Sequence, residues 1–210
     1  MQNIQLDTTI NRLYKDSKND YFKIIKGAAK SIFRPIKPID FKDVYLAISE
    51  EQGKGLVDLI KKNNIKKVVE FGTSFGISTL FLAKGVLETE GNIVTTELIE
   101  SKALKALDNF KKAGVDNLID LRIGNAMDTL LNYDESVDLL LLDGWKDLYL
   151  PLFRMLEKNF HSKTIVYVDN ADMDDSRLFL ETISKDSKYQ FQYKHRGKVA
   201  LISVNSLMNR

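Results

Sequence analysis

Oxygen-bearing side chains stand at the ends of two strongly apolar runs. VDLLLLD ends at Asp143, and TIVYVDN ends at Asp169 and Asn170. Such runs indicate central strands of a parallel sheet, whose carboxyl ends meet at one edge. Two carboxylates and an amide, with no cysteine and no histidine nearby, favour Mg²⁺ or a similar hard cation over zinc. Each residue alone could instead cap the helix that follows its strand.

A turn with two glycines follows an earlier apolar run, in the stretch VVEFGTSFGIST. Gly72 and Gly76 allow the backbone to approach a ligand closely, and the first N–H groups of the next helix can donate to an anion. A dinucleotide-binding turn would need a further glycine at position 74, where the chain has Ser74. The order strand, turn, helix therefore predicts a nucleotide-like ligand other than NAD. A turn without a ligand is the alternative.

Two further positions belong to this predicted ligand site. Glu97 ends the next strand about twenty residues past Gly76, where an acid can accept hydrogen bonds from both ribose hydroxyls. Asn125 follows the third strand, where it could bond an adenine ring. The alternatives are a surface glutamate at a strand end and an ordinary strand-to-helix turn.

Alternating strands and helices must position these residues. Strands are predicted at 66–71, 92–97, 118–123, 137–142 and 163–168, and helices at roughly 77–88, 99–113, 126–132, 147–160 and 174–185. This alternation implies right-handed crossovers and a parallel sheet with helices on both faces. Tyr189–His195 and Lys198–Val204 are predicted to form a closing antiparallel hairpin, because the turn between them is short. We therefore expect a seven-stranded, mostly parallel α/β sheet.

The beginning of the chain is expected to form a helical segment of its own. Helices are predicted around Thr8–Lys18 and near Tyr21–Phe33, and two prolines then mark a break. From 43 to 63 apolar residues recur at helical spacing, interrupted by two glycines. We assign 1–42 to an N-terminal segment that covers a substrate or makes an oligomer contact, and 43–210 to the ligand-binding domain.

Composition and charge exclude several classes of protein. A net charge of +2 gives no broad attraction to nucleic acid. The chain has no cysteine, which excludes disulfides and thiolate metal sites. The first residues lack the layout of a signal peptide, and no apolar run approaches the ~18 residues of a membrane span. We expect a cytoplasmic protein that binds neither nucleic acid nor a membrane.

The stretches DGWKDLYLP and VDNAD, with the turn E-x-G-x-x-x-G-x-S, resemble the metal-dependent O-methyltransferases of the catechol O-methyltransferase type. The similarity extends from about Glu51 to the last strand. It implies a single-domain, Rossmann-like class I methyltransferase fold. It also implies transfer of a methyl group from S-adenosyl-L-methionine to a hydroxyl of a small molecule, with a divalent cation such as Mg²⁺ lowering the pKa of that hydroxyl.

The resemblance also implies roles for individual residues. Lys146 would be the general base, and the cation ligands would be Asp143, Asp169 and Asn170. The cofactor site would comprise Glu70, Gly72, Ser74, Gly76, Ser78, Glu97, Asn125, Ala126 and Asp143. Two departures stand out: Gly144 occupies a position where family members usually carry histidine or alanine, and the chain has no match to the acid that helps hold a catechol hydroxyl.

Several alternatives stay open at this point. The chain could be a metal-independent methyltransferase of the same fold, or a non-catalytic module that keeps the cofactor-binding fold. Trp145 could form a wall for an aromatic acceptor or could simply pack at a rim. If the N-terminal segment makes an oligomer contact, the oligomer considered is a homodimer. The resemblance does not identify the methyl acceptor.

Overall fold

Seven strands form one sheet in this computed structural model, which describes residues 2–18, 37–45 and 47–205. The strands are β1 (Lys67–Phe71), β2 (Asn92–Glu97), β3 (Ile119–Ile123), β4 (Val137–Leu142), β5 (Phe160–Asp169), β6 (Tyr189–Lys194) and β7 (Val199–Val204). Their order across the sheet is β3-β2-β1-β4-β5-β7-β6. β1 to β5 pair in parallel, whereas β7 runs antiparallel to both β5 and β6. The expected mostly parallel sheet with an antiparallel C-terminal hairpin strand is confirmed.

Helices connect the parallel strands. Among the described residues they are α1 (Gln2–Ser17), α2 (Glu50–Asn63), α3 (Ile77–Thr89), α4 (Glu100–Ala113), α5 (Ala126–Thr129), α6 (Tyr149–Leu156) and α7 (Asp174–Ser184). The helix expected near Tyr21–Phe33 lies outside the described residues. Every helix within the described ranges is too short or too polar to cross a membrane.

After residue 118, three elements differ from their predicted bounds by more than one residue. β5 begins at Phe160, which pairs with Val137 before a shift in register, so its first residues lack the regular pattern of a strand. The helix predicted at 126–132 ends at Thr129. The helix predicted at 147–160 is α6 flanked by two short 3₁₀ turns, Lys146–Leu148 and Glu157–Asn159.

α2 runs through both of the glycines that interrupt its sequence pattern. A Cβ on Gly53 would lie 2.4 Å from the ring of Phe81 on α3. Glycine at this position therefore lets α2 and α3 pack closely, and tertiary contact outweighs the low helix propensity of glycine. The helix begins with a capping box, in which Ser49 Oγ accepts from the N–H of Gln52.

The N-terminal helix shares the core of the sheet. α1 begins at Gln2, earlier than predicted, and packs on α3 and α4. Leu6, Ile10 and Leu13 are buried in the same apolar cluster as residues of α2, α3 and β1. A second apolar cluster covers the opposite face of the sheet, between the strands and α6 and α7.

Candidate functional site

The glycine turn, residues 72–76, lies directly against the turn that follows β4. Gly72 and Gly76 have φ angles of +99° and +94°, in the region that favours glycine. A Cβ on Gly72 would lie 2.9 Å from both the carbonyl oxygen of Asp143 and the Cα of Gly144. A Cβ on Gly76 would lie 2.5 Å from the ring of Phe110. Both glycines are therefore required by contacts within the protein, beyond the ligand approach that the sequence predicts.

Glu70 forms a support beneath the glycine turn. Its carboxyl group is fully buried and accepts hydrogen bonds from the hydroxyls of Ser78, Thr79 and Thr95. Burial raises the pKa of Glu70, and the charge of Glu97 adds to this, while the three hydroxyl bonds act in the opposite direction. The hydrogen bond between Ser78 and Glu70 fixes the start of α3 relative to β1, and the bond from Thr95 ties both to β2.

Glu97 lies at the end of β2 and holds the glycine turn from the other side. Its Oε2 accepts from the N–H of Ser74 at 2.9 Å, and its Oε1 accepts from the N–H of Ile99 at 2.9 Å. Burial raises the pKa of Glu97, whereas these N–H bonds and the ammonium of Lys102 act to lower it. The acid therefore lies next to the turn, and its contact with a ribose stays a prediction.

Lys102 is a residue of this site that sequence reasoning missed. It is 3% exposed, and its Nζ lies 3.2 Å from Ser74 Oγ and 5.2 Å from the centre of the Phe75 ring. The signal was present in the sequence, because Lys102 falls on the same face of α4 as the buried Ala106 and Phe110. A lysine in an otherwise apolar stripe indicates a specific partner.

Asn125 and Ala126 form the start of α5. Asn125 Oδ1 accepts from the N–H of Met127 at 3.0 Å, so Asn125 caps α5 at this strand-to-helix turn. Ala126 is 2% exposed, and its methyl group packs in the core. Their contact with a cofactor stays a prediction, and any such contact of Ala126 would involve its backbone.

Asp143 and Asp169 bring two carboxyl groups together at the ends of β4 and β5. Burial and then the neighbouring Asp169 raise the pKa of Asp143 well above its usual range, while the ammonium of Lys146 acts to lower it. Burial also raises the pKa of Asp169, against hydrogen bonds from its neighbours. Two adjacent acids with this little access to water do not both carry a charge on their own: either they share one proton, or a cation between them stabilises both charges.

The rest of the predicted cation set lies beside this pair. Asn170 has a φ of +54°, and its Nδ2 donates to Asp169 Oδ2 at 2.7 Å, which leaves its carbonyl oxygen as the possible ligand atom. No group of three or more His, Cys, Asp or Glu side chains that could hold a metal occurs among the described residues. The candidate donor set is thus two carboxylates and one amide oxygen. This set suits Mg²⁺, which keeps several waters when bound by few carboxylates.

Lys146 lies in the 3₁₀ turn after β4. Its Nζ donates to the carbonyl oxygen of Gly144 at 3.0 Å and lies 5.5 Å from the centre of the Tyr149 ring. The ammonium group influences both Asp143 and Asp169, since its charge acts to lower the pKa of each. The predicted base therefore lies close to the predicted carboxylate ligands, at the ends of β4 and β5.

The structure explains the glycine at position 144. A Cβ there would lie 2.5 Å from the ring of Phe71, so the ring fills the space that a side chain would need. Trp145 is 36% exposed, and its Nε1 lies 3.3 Å from Asp147 Oδ2. The tryptophan is therefore placed at the rim of the carboxyl edge.

Comparisons with known proteins agree with this geometry. The catechol O-methyltransferase of Niastella koreensis is 29% identical over 133 residues, covering 61% of this chain and 60% of that protein. That of Mycobacterium tuberculosis is 31% identical over 127 residues, covering 60% and 57%. The chain thus spans less than two thirds of the length of these curated relatives.

A solved structure extends the likeness over most of the chain. The O-methyltransferase of Streptomyces achromogenes involved in tomaymycin synthesis, solved in complex with SAM, has a TM-score of 0.66 at 25% identity. The match covers 90% of this chain and 91% of that one. The model of the O-methyltransferase family matches residues 39–196, which include the glycine turn, Glu97, Lys146 and the carboxyl pair. The chain belongs to the O-methyltransferase family.

Proposed function

We propose that this protein transfers a methyl group from S-adenosylmethionine to a hydroxyl oxygen of a small molecule, with the help of a divalent cation. One observation carries the proposal: the glycine turn contacts the backbone of Asp143 and Gly144 directly. A ligand on that turn and a ligand beside the two carboxyl groups would therefore be neighbours. Membership of the O-methyltransferase family and the catechol O-methyltransferase relatives support this assignment.

The donor side consists of the glycine turn and Glu97. S-adenosylmethionine would supply the methyl group from its sulfonium and leave as S-adenosylhomocysteine. Glu97 would accept hydrogen bonds from the ribose hydroxyls, because it ends β2 beside the turn and already accepts from Ser74. Glu70 would keep the turn in shape through its three hydroxyl partners.

The acceptor side consists of Lys146 and the cation ligands. Asp143, Asp169 and the carbonyl oxygen of Asn170 would hold the divalent cation, which when bound lowers the pKa of the acceptor hydroxyl. Lys146 Nζ, as the neutral amine, would take the hydroxyl proton and so become the ammonium. Holding two reactants in the correct orientation is worth up to ~7–11 kcal/mol of the barrier. The two adjacent turns would therefore provide much of the rate acceleration.

A screen of acceptor hydroxyls with and without cation tests the proposal. Purified protein is treated with a chelator, dialysed, and mixed with S-adenosylmethionine and candidate acceptors, and product is measured with and without added Mg²⁺. We expect methylated product with Mg²⁺ only. Full transfer after exhaustive chelation would instead identify a metal-independent methyltransferase, and failure to bind S-adenosylmethionine in calorimetry would contradict the donor assignment.

A further inference from the structure

Gln52, in the first turn of α2, links the start of that helix to the carboxyl pair. Its side chain is largely buried, with the residue 9% exposed. Its Nε2 donates to Asp169 Oδ1 at 2.6 Å, across 117 positions of sequence. Its Oε1 accepts from the backbone N–H of Ser49 at 2.9 Å. One carboxamide therefore joins the helix cap to a predicted cation ligand.

The chemistry of these two bonds requires a carboxamide. The N–H of Ser49 can only donate, and a carboxylate can only accept, so the orientation of the Gln52 amide is fixed by its partners. Glutamate at this position would supply only acceptors, and lysine or arginine would supply only donors. Glutamine is thus the side chain of this length that satisfies both partners at once.

The bond from Gln52 completes the restraint on Asp169. The second carboxylate oxygen, Oδ2, accepts from Asn170 Nδ2 at 2.7 Å. Each oxygen of Asp169 is therefore held by one amide N–H group, from two different elements. Two such bonds define the plane of the carboxylate, and with it the direction of the lone pairs that a cation would use.

We propose that Gln52 is a positioning residue, which orients the Asp169 carboxylate for cation binding and ties that orientation to the cap of α2. The inference rests on the proposed function, because it assumes a cation at Asp169. Groups that orient metal ligands typically contribute 10–100-fold to metal affinity or activity. Gln52 would have this effect without touching the donor or the acceptor.

Two variants separate positioning from helix stability. Gln52→Met removes both side-chain bonds of Gln52, including the donation to Asp169. Ser49→Ala removes the other half of the same capping box and leaves the bond to Asp169 in place. Both variants should lower the melting temperature, because both weaken the helix cap.

The deciding measurement is Mn²⁺ affinity, followed by electron paramagnetic resonance with no acceptor present. We expect Gln52→Met to bind Mn²⁺ about 10–100-fold more weakly than wild type. Ser49→Ala should bind it as wild type does, and calorimetry should show the same affinity for S-adenosylmethionine in all three proteins. Equal Mn²⁺ affinity in wild type and Gln52→Met would overturn this inference alone. A wild-type protein that binds no Mn²⁺ would overturn the cation part of the proposed function, and this inference with it.

A third variant covers the case in which Gln52→Met does not fold. Gln52→Glu keeps an acceptor for Ser49 N–H and so preserves the capping box, but its carboxylate, when ionised, has no proton to donate to Asp169. At saturating Mn²⁺ and S-adenosylmethionine we expect its kcat to fall at least about tenfold, with an unchanged KM for S-adenosylmethionine. A kcat equal to that of wild type would show that the donated hydrogen bond is not needed.

Discussion

Three acids of the candidate site are each held by a different kind of partner. Glu70 accepts from three hydroxyls, Glu97 from two backbone N–H groups, and Asp169 from two side-chain amides. Groups that are already oriented lose little conformational freedom when a ligand arrives. The site is therefore preorganised at the level of single side chains.

Replacing Lys146 tests its assignment as the base. Lys146→Met keeps the length of the side chain and removes the basic nitrogen. We expect the methyl-transfer rate to fall by roughly 10²–10⁴, the usual contribution of a positioned acid or base. Affinity for S-adenosylmethionine, measured by calorimetry, should stay the same. The loss should be smaller for acceptors acidic enough to ionise unaided, and an equal rate for wild type and variant across acceptors would exclude Lys146 as the base.

Gly72, in the glycine turn, and Gly197, in the turn between β6 and β7, form a matched pair for substitution. Gly72 and Gly197 have similar φ angles, +99° and +90°, but a Cβ on Gly72 would meet backbone atoms, whereas nothing lies within 4 Å of a Cβ on Gly197. We expect Gly72→Ala to lower the free energy of unfolding by ~1–3 kcal/mol more than Gly197→Ala does, because only Gly72→Ala causes a steric clash. Urea unfolding measures this difference.

Binding should distinguish the same two variants. Gly72→Ala should lose most of its affinity for S-adenosylmethionine, since the clash displaces the turn that holds it. Gly197→Ala should keep wild-type affinity. Calorimetric titrations of both proteins check this, and full affinity in Gly72→Ala would mean that the ligand does not rest on the glycine turn.

The sequence predicts whole strands and helices of this fold better than it predicts the contacts of single residues. The bounds predicted for β2 and β4 agree with the structure. β4 appears as an almost continuous apolar run because central parallel strands are buried on both faces, whereas β2 ends in three buried polar residues, Thr95, Thr96 and Glu97. The division of α6 from its flanking 3₁₀ turns is not predictable in this way. Leu148 continues the apolar pattern of α6 into the first 3₁₀ turn, and no glycine or proline lies within either 3₁₀ turn.

Site residues are less predictable because their partners come from distant elements. Spacing places Glu70 and Asn125 correctly at strand ends, yet it cannot show that Glu70 faces a threonine of β2 or that Asn125 caps α5. Gln52 gives no local signal beyond the capping box, since its second partner lies on β5. The sequence therefore predicts where polar groups gather and leaves open what each one bonds.

We expect the stability of the protein to change with pH because of Glu157, whose carboxylate lies between α6 and β6. Glu157 accepts from Tyr189 OH, Lys188 Nζ and Arg154 Nη1. Burial acts to raise the pKa of Glu157, but these three bonds outweigh it and lower the pKa to about 2. Because this value lies below that of an unfolded glutamate, ~4.3, the stabilisation is complete above that pH and is lost as the pH falls towards 2.

Glu157→Gln isolates this contribution. The wild type should lose ~1 kcal/mol more free energy of unfolding than the variant between pH 7 and pH 3, a figure reduced for screening because the group is partly exposed. Urea unfolding of both proteins at the two pH values measures it. Equal losses would show that the three bonds to Glu157 do not contribute to stability.

At the scale of the whole molecule, the N-terminal helix is part of the main core. α1 buries its apolar face against α3 and α4, and Tyr14 OH donates to the carbonyl oxygen of Ile48 at 2.9 Å. The remainder of the predicted 1–42 segment, the homodimer and the cytoplasmic location stay predictions.

A pair of substitutions in α1 tests this integration. Leu13 is fully buried, whereas Ile4 is 71% exposed. We expect Leu13→Ala to lower the free energy of unfolding by ~2–5 kcal/mol, the usual cost of such a core truncation, and Ile4→Ala to change it little. Unfolding of Leu13→Ala should remain a single cooperative transition. A separate early transition in that variant would mean that α1 unfolds independently of the sheet.

The contact between the glycine turn and the β4 turn bears on the design of variant libraries. The atoms nearest to a Cβ on Gly72 would be backbone atoms of Asp143 and Gly144. The side chains of Trp145, Asp147 and Met173 are exposed on the loops after β4 and β5. Under the proposed function, we expect that randomising these three positions together would change the choice of acceptor and leave the affinity for S-adenosylmethionine unchanged.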